Sequence, residues 1–130
     1  LNNHSLAAIR SLRELEERKG EFTLDEYNLF INHPVLTSQM VRSFHEIPPD
    51  VDSIIAQHHE QPDGSGFPHS MTHTHISPLA SILIVAHELI SYIYLNDSKW
   101  TIKNFLAKHG KKYEVGNFRK LLKVLNTIKI

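Results

Sequence analysis

The sequence predicts an all-α protein, a bundle of helices with no substantial sheet. Three observations carry that expectation. Apolar residues recur at helical spacing in several stretches. Helix start and stop signals separate those stretches, and no run of alternating residues reads as a strand. The chain has 130 residues, 41% of them apolar, which suits one domain with a real core.

The first helix is expected over 4–18, where Leu6, Ile9, Leu12 and Leu15 form an apolar stripe, with Gly20 as its stop. The stripe is expected to lie open to a second copy of the chain or to an upstream segment. Thr23-Leu24-Asp25-Glu26 is a capping box that starts a helix through Tyr27, Phe30 and Ile31. Pro34 lacks an amide and disfavours helical geometry at His33, so a bend or restart is expected there, followed by a segment carrying Val35, Leu36, Met40, Val41 and Phe44. After Pro48-Pro49-Asp50, a helix places Val51, Ile54, Ile55 and His58 on one face. Pro62 to Pro68 must be a tight loop. Ser77-Pro78 starts a central helix to about Leu95, apolar nearly all round and expected to be mostly buried from Ile82 to Ile90. It is too short to read as a clean membrane span. Two amphipathic helices follow at about 99–109 and 117–128, separated by Gly110.

Lys plus Arg balance Asp plus Glu at 14 each, so no basic field invites nucleic acid. There is no cysteine, which excludes disulfides and thiolate metal sites and fits a cytoplasmic location. The chain begins at Leu1 with no signal peptide, and reads as a piece of something longer.

Ten histidines are the unusual feature. Imidazole is the commonest metal ligand. His45, His69, His73, His75 and His109 read as ordinary surface residues. His58 and His59 stand at a helix end, a plausible metal platform, and His87 interrupts an apolar helix where a buried imidazole needs a partner. Taken singly, each reads more readily as a satisfied histidine than as a ligand. Together they suggest a site.

His33-Pro34, then His58-His59-Glu60, Asp63-Gly64-Ser65-Gly66-Phe67-Pro68 and the Ala86-His87 helix resemble the HD-GYP family, a branch of the HD phosphohydrolases. Many of its members cleave cyclic di-GMP. Phe67 stands where the family has tyrosine, and the resemblance covers about residues 4–95. It implies an HD-domain-like helical bundle over 1–130, lacking its first helix or helices, with 96–130 as C-terminal helices. His33, His58 and His59 match metal-ligating histidines, and His4 matches the histidine of the His-Asp pair. The departures are Ser5 for the bridging aspartate, Ala8 for a lysine and His87 for an aspartate ligand. Two dications about 3.5–4 Å apart need a bridging anion. The residues left suit a single transition metal (iron, zinc, manganese or nickel), and no residue is assigned a catalytic role.

The leading expectation is a degenerate, regulatory or partner-binding module in cyclic di-GMP signalling. Asp63, Gly64, Gly66, Phe67 and Pro68 would form a partner or ligand loop. In the family that loop is linked to GGDEF-type diguanylate cyclase domains, and an exposed Phe67 would suit such contact. A cyclic dinucleotide ligand and a homodimer are further expectations. The alternatives are an active metal-dependent phosphodiesterase with an altered His-rich site, and a non-catalytic helical scaffold.

Overall fold

Four of the helices begin where a side-chain oxygen meets an orphan amide. In the computed structural model, which describes residues 9–129, Ser11 caps α1 (Leu12–Glu17) and Thr23 caps α2 (Leu24–Arg42). Ser77 caps α4 (Pro78–Asn96) and Thr101 caps α5 (Ile102–His109). The Thr23 box is complete: its hydroxyl accepts from Glu26 N–H at 3.1 Å, and the Glu26 carboxylate accepts from Thr23 N–H at 2.8 Å. The uncapped helices are α3 (Val51–Gln57), entered from Asp50 at φ 76°, and α6 (Phe118–Asn126). Short 3-10 turns cover Lys19–Glu21, Asp97–Lys99 and Gly110–Tyr113. Among the described residues there is no strand, only an isolated bridge between Asp63 and Thr72, and the fold is an HD-domain-like helical bundle.

Helices α2 and α3 pack on each other, α3 leads onto α4, and α4 packs on α6. One core cluster joins Ile84 and Val85 of α4 to Ile102, Phe105, Tyr113, Phe118 and Leu125. A second holds Ile9, Leu15, Tyr27 and Phe67. Removing a buried ring such as Phe105 would cost about 3–5 kcal/mol.

Four expectations need correction. Pro34 does not restart the helix: α2 runs across it as one 19-residue helix. The first described helix begins at Leu12, so the helix expected over 4–18 is interrupted at the extended Ser11; residues 1–8 lie outside the described residues. Ile9 and Leu15 are buried against Tyr27 and Phe67, so at these positions the first stripe is not an open face; Leu6 is outside the description. Finally, α4 is buried on one face only. Ala80, Ser81, Ile84, Val85, Glu88 and Ser91 face inward, whereas Ile82 and Ile90 are 50% and 62% exposed. An all-round apolar composition has no periodicity from which to read the outer face. The 22 residues Pro78–Lys99 are long and apolar enough to cross a membrane by length and composition alone. Here the helix packs against α3 and α6 and carries Glu88 in an ion-pair network.

Candidate metal centre

The missing amide of Pro34 determines how the site begins. A residue with an N–H at position 34 would donate it to the Phe30 carbonyl, four residues back. Proline leaves that carbonyl free, and the ring of His33 takes it, Nδ1 to oxygen 2.5 Å. A carbonyl only accepts, so Nδ1 carries the proton and the Nε2 lone pair is left for an ion. His58, the C-terminal cap of α3, repeats the device: its Nδ1 donates to the Ile55 carbonyl at 2.6 Å.

His59 follows and is buried. Its ring stacks on Phe67 at 4.7 Å between centroids and lies 4.9 Å from His33 and 4.3 Å from His58. His33, His58 and His59 each offer a nitrogen, and these atoms all lie within 4.8 Å of one another. Around a tetrahedral ion with bonds of about 2.0–2.1 Å, ligand nitrogens stand roughly 3.4 Å apart. Small ring movements close that difference, so the cluster can hold a single ion. His87 stands beside it, with its ring 5.5 Å from that of His59 and 6.1 Å from that of His58. It is outside the trio. His4 lies outside the described residues, as do Ser5 and Ala8.

Two rings of the trio, and His87 beside it, are held neutral. Burial pushes His59 down to about 2, helped by the nearby His58, His33 and His87. Burial and then Arg10 lower His87 to about 4, and burial lowers His58 despite its bond to Ile55. Neutral imidazole is the form that binds a metal. The trio contains no carboxylate. Uncharged nitrogen donors suit a transition ion rather than magnesium or calcium.

The loop after the histidines is built as a brace. Both oxygens of the fully buried Glu60 carboxylate accept backbone amides, from His69 at 2.9 Å and Met71 at 2.8 Å. Asp63 Oδ1 accepts from the Ser65 amide at 3.0 Å and hydroxyl at 2.6 Å. Gly64 adopts φ 82°, a turn conformation that favours glycine. Gly66 lies so close to the preceding segment that a Cβ there would fall 2.4 Å from the His59 carbonyl oxygen. Phe67 N–H donates to that same carbonyl at 3.0 Å. Phe67 is therefore not an exposed residue of the loop. It is 0% exposed and forms one wall of the histidine cluster, while Pro68 beside it is half-buried.

His45, His69 and His75 are exposed, and His73 is half-buried, near Gly116. His109 is not an ordinary surface residue. Its Nδ1 is 3.3 Å from a carboxylate oxygen of Glu88, which is 2% exposed. Lys112 Nζ stands 2.6 Å from the same oxygen, Tyr113 hydroxyl donates to it at 2.5 Å, and Arg10 Nε is 3.8 Å from the other. The signal for this cluster was present in the sequence: a charged residue inside an apolar helix needs partners. What supplies them, a residue near the start and three near the end of the chain, has no local signature.

A family model described as HD domain matches residues 1–96. No curated protein and no solved structure matches the chain.

Proposed function

We propose, from the premise that the chain belongs to the HD domain family, that it is a single-metal, degenerate member of the phosphohydrolase superfamily serving as a regulatory or partner-binding module. The observation that carries this reading is the set of three converging imidazoles, His33, His58 and His59, without a carboxylate among them. A bound transition ion would supply Lewis acidity there. The chain's own residues do the rest. Phe30 and Ile55 carbonyls orient two of the rings, Phe67 shields His59 from water, and Glu60 holds the covering loop. Three imidazoles lack the bridging anion that two close dications need, so phosphodiester hydrolysis by a metal pair is not supported.

The resemblance of residues 58–68 to HD-GYP proteins suggests cyclic di-GMP signalling in the cytoplasm as the setting. Partner contact, including with a GGDEF-type domain, would then use the exposed Asp63 and Ser65 edge of the loop rather than the buried Phe67 ring. The second reading, an active phosphodiesterase with His87 as an extra ligand, is favoured by the 5.5 Å between the His87 and His59 rings.

Metal analysis of untagged protein, paired with a cyclic di-GMP hydrolysis assay with added manganese or iron, tests both readings. We expect one transition ion per chain, lost in His58→Ala, and no turnover above background. Robust metal-dependent turnover abolished by His58→Ala would establish the second reading. Absence of any bound metal would reduce the domain to a helical scaffold.

A further inference from the structure

Beside Glu88 of α4 lies a cavity of about 450 Å³ with Arg10, Glu88, Lys108, His109 and Lys112 in its wall. We propose that this cavity is an anion-binding site for the phosphate group of a phosphorylated small molecule. It is distinct from the metal centre and needs no metal.

The bland account is a structural ion network that neutralises buried Glu88. Two features exceed that need. Glu88 already has Lys112, His109 and Tyr113 on one oxygen and Arg10 beside the other. Lys108 also lines the cavity, yet has no ion-pair partner among the described residues. With Arg10 and Lys112 it gives three formal positive charges in the wall against two negative ones, Glu88 and Glu14. The second feature is desolvation. The Arg10 and Lys112 side chains are only 11% and 21% exposed, so water and salt screen their charges poorly.

The position of Arg10 adds to the case. Its guanidinium donates to the Ser91 hydroxyl and reaches the His87 carbonyl at 3.5 Å. With Nη1 also donating to the Ile9 carbonyl, it is held in place, and its positive charge stands at the cavity wall with little side-chain freedom left to lose. The volume leaves room for a phosphate with a sugar or base attached.

The test uses the whole chain after metal removal, titrated calorimetrically with inorganic phosphate, pyrophosphate and cyclic di-GMP in separate arms. The variants are Lys108→Gln, which removes an exposed charge and leaves the Glu88 network intact, and His58→Ala. We expect saturable binding of at least one of these anions by the wild type, weakened about tenfold or more by Lys108→Gln and unchanged by His58→Ala. Preference among the arms tells free phosphate from a nucleotide source. No binding in any arm, or binding that Lys108→Gln leaves intact, overturns the assignment. Loss of binding in His58→Ala would move the site to the histidines and also overturn it. None of these outcomes bears on whether the histidines hold a metal, which is read separately from metal content.

Discussion

Alanine at position 66 is the sharpest test of how the loop shapes the metal centre. A Cβ on Gly66 would lie 2.4 Å from His59 O, 2.6 Å from Gln61 N and 2.6 Å from Glu60 C. All three are backbone atoms, so no side-chain rotation relieves the overlap and the loop must move away by about an ångström. Overpacking of this kind costs about 1–3 kcal/mol. The displacement also breaks the 3.0 Å hydrogen bond from Phe67 N–H to the His59 carbonyl, worth about 1 kcal/mol. It opens the Phe67 stack on His59 as well. We expect Gly66→Ala to lose about 3 kcal/mol, which for a domain of this size lowers Tm by roughly 12 °C. Gly20→Ala is the internal control, because nothing lies within 4 Å of a Cβ there. Thermal denaturation of both variants followed by circular dichroism reads the difference. If they melt within about 2 °C of each other, the loop is not packed against the histidine backbone as described, and the reasoning fails.

Other outcomes follow from the same geometry. Pro34→Ala restores an amide that competes with His33 Nδ1 for the Phe30 carbonyl, so fold stability should hold or rise while metal affinity falls about 10–100-fold, as read by chelator competition. Glu60→Ala leaves the His69 and Met71 amides without acceptors and should lose about 2–4 kcal/mol in urea denaturation; a loss under about 1 kcal/mol would show that the loop does not depend on this carboxylate. The metal-stripped protein should lose stability on acidification. His59 has a folded value near 2, far below its unfolded value of about 6.5, so its contribution is complete above about pH 6.5. As pH falls below that, the unfolded chain takes up a proton that the folded one does not, and about 1.4 kcal/mol is lost per pH unit. His58 and His87 act in the same direction. A Tm that is flat between pH 7.5 and 5 would contradict the burial of these rings.

Much of the helical frame can be read locally. Ser77-Pro78 and Thr23 to Glu26 carry their own caps, and Gly110 marks the end of α5. His33, His58 and His59 are legible as a group because motif order and helix phase agree. Other features depend on contacts distant in sequence. Pro34 breaks a helix in the local view, but here the one carbonyl it orphans is taken by a neighbouring ring, so α2 continues. Phe67, between Gly66 and Pro68, reads as a loop tip, but the missing Cβ of Gly66 lets the loop fold back and bury it. The partners of Glu88 come from Arg10, His109, Lys112 and Tyr113, and no periodicity could associate them.

His87 and Glu88 are consecutive on α4, yet one side chain stands by the histidine trio and the other lines the cation-rich cavity. Neighbouring helical positions diverge by about 100° and advance by about 1.5 Å. The helix therefore acts as a fixed ruler between the two sites, and no rotamer change alters its graduation. Inserting one residue ahead of position 87 would rotate both side chains out of register at once, so that changes in one site are geometrically tied to changes in the other.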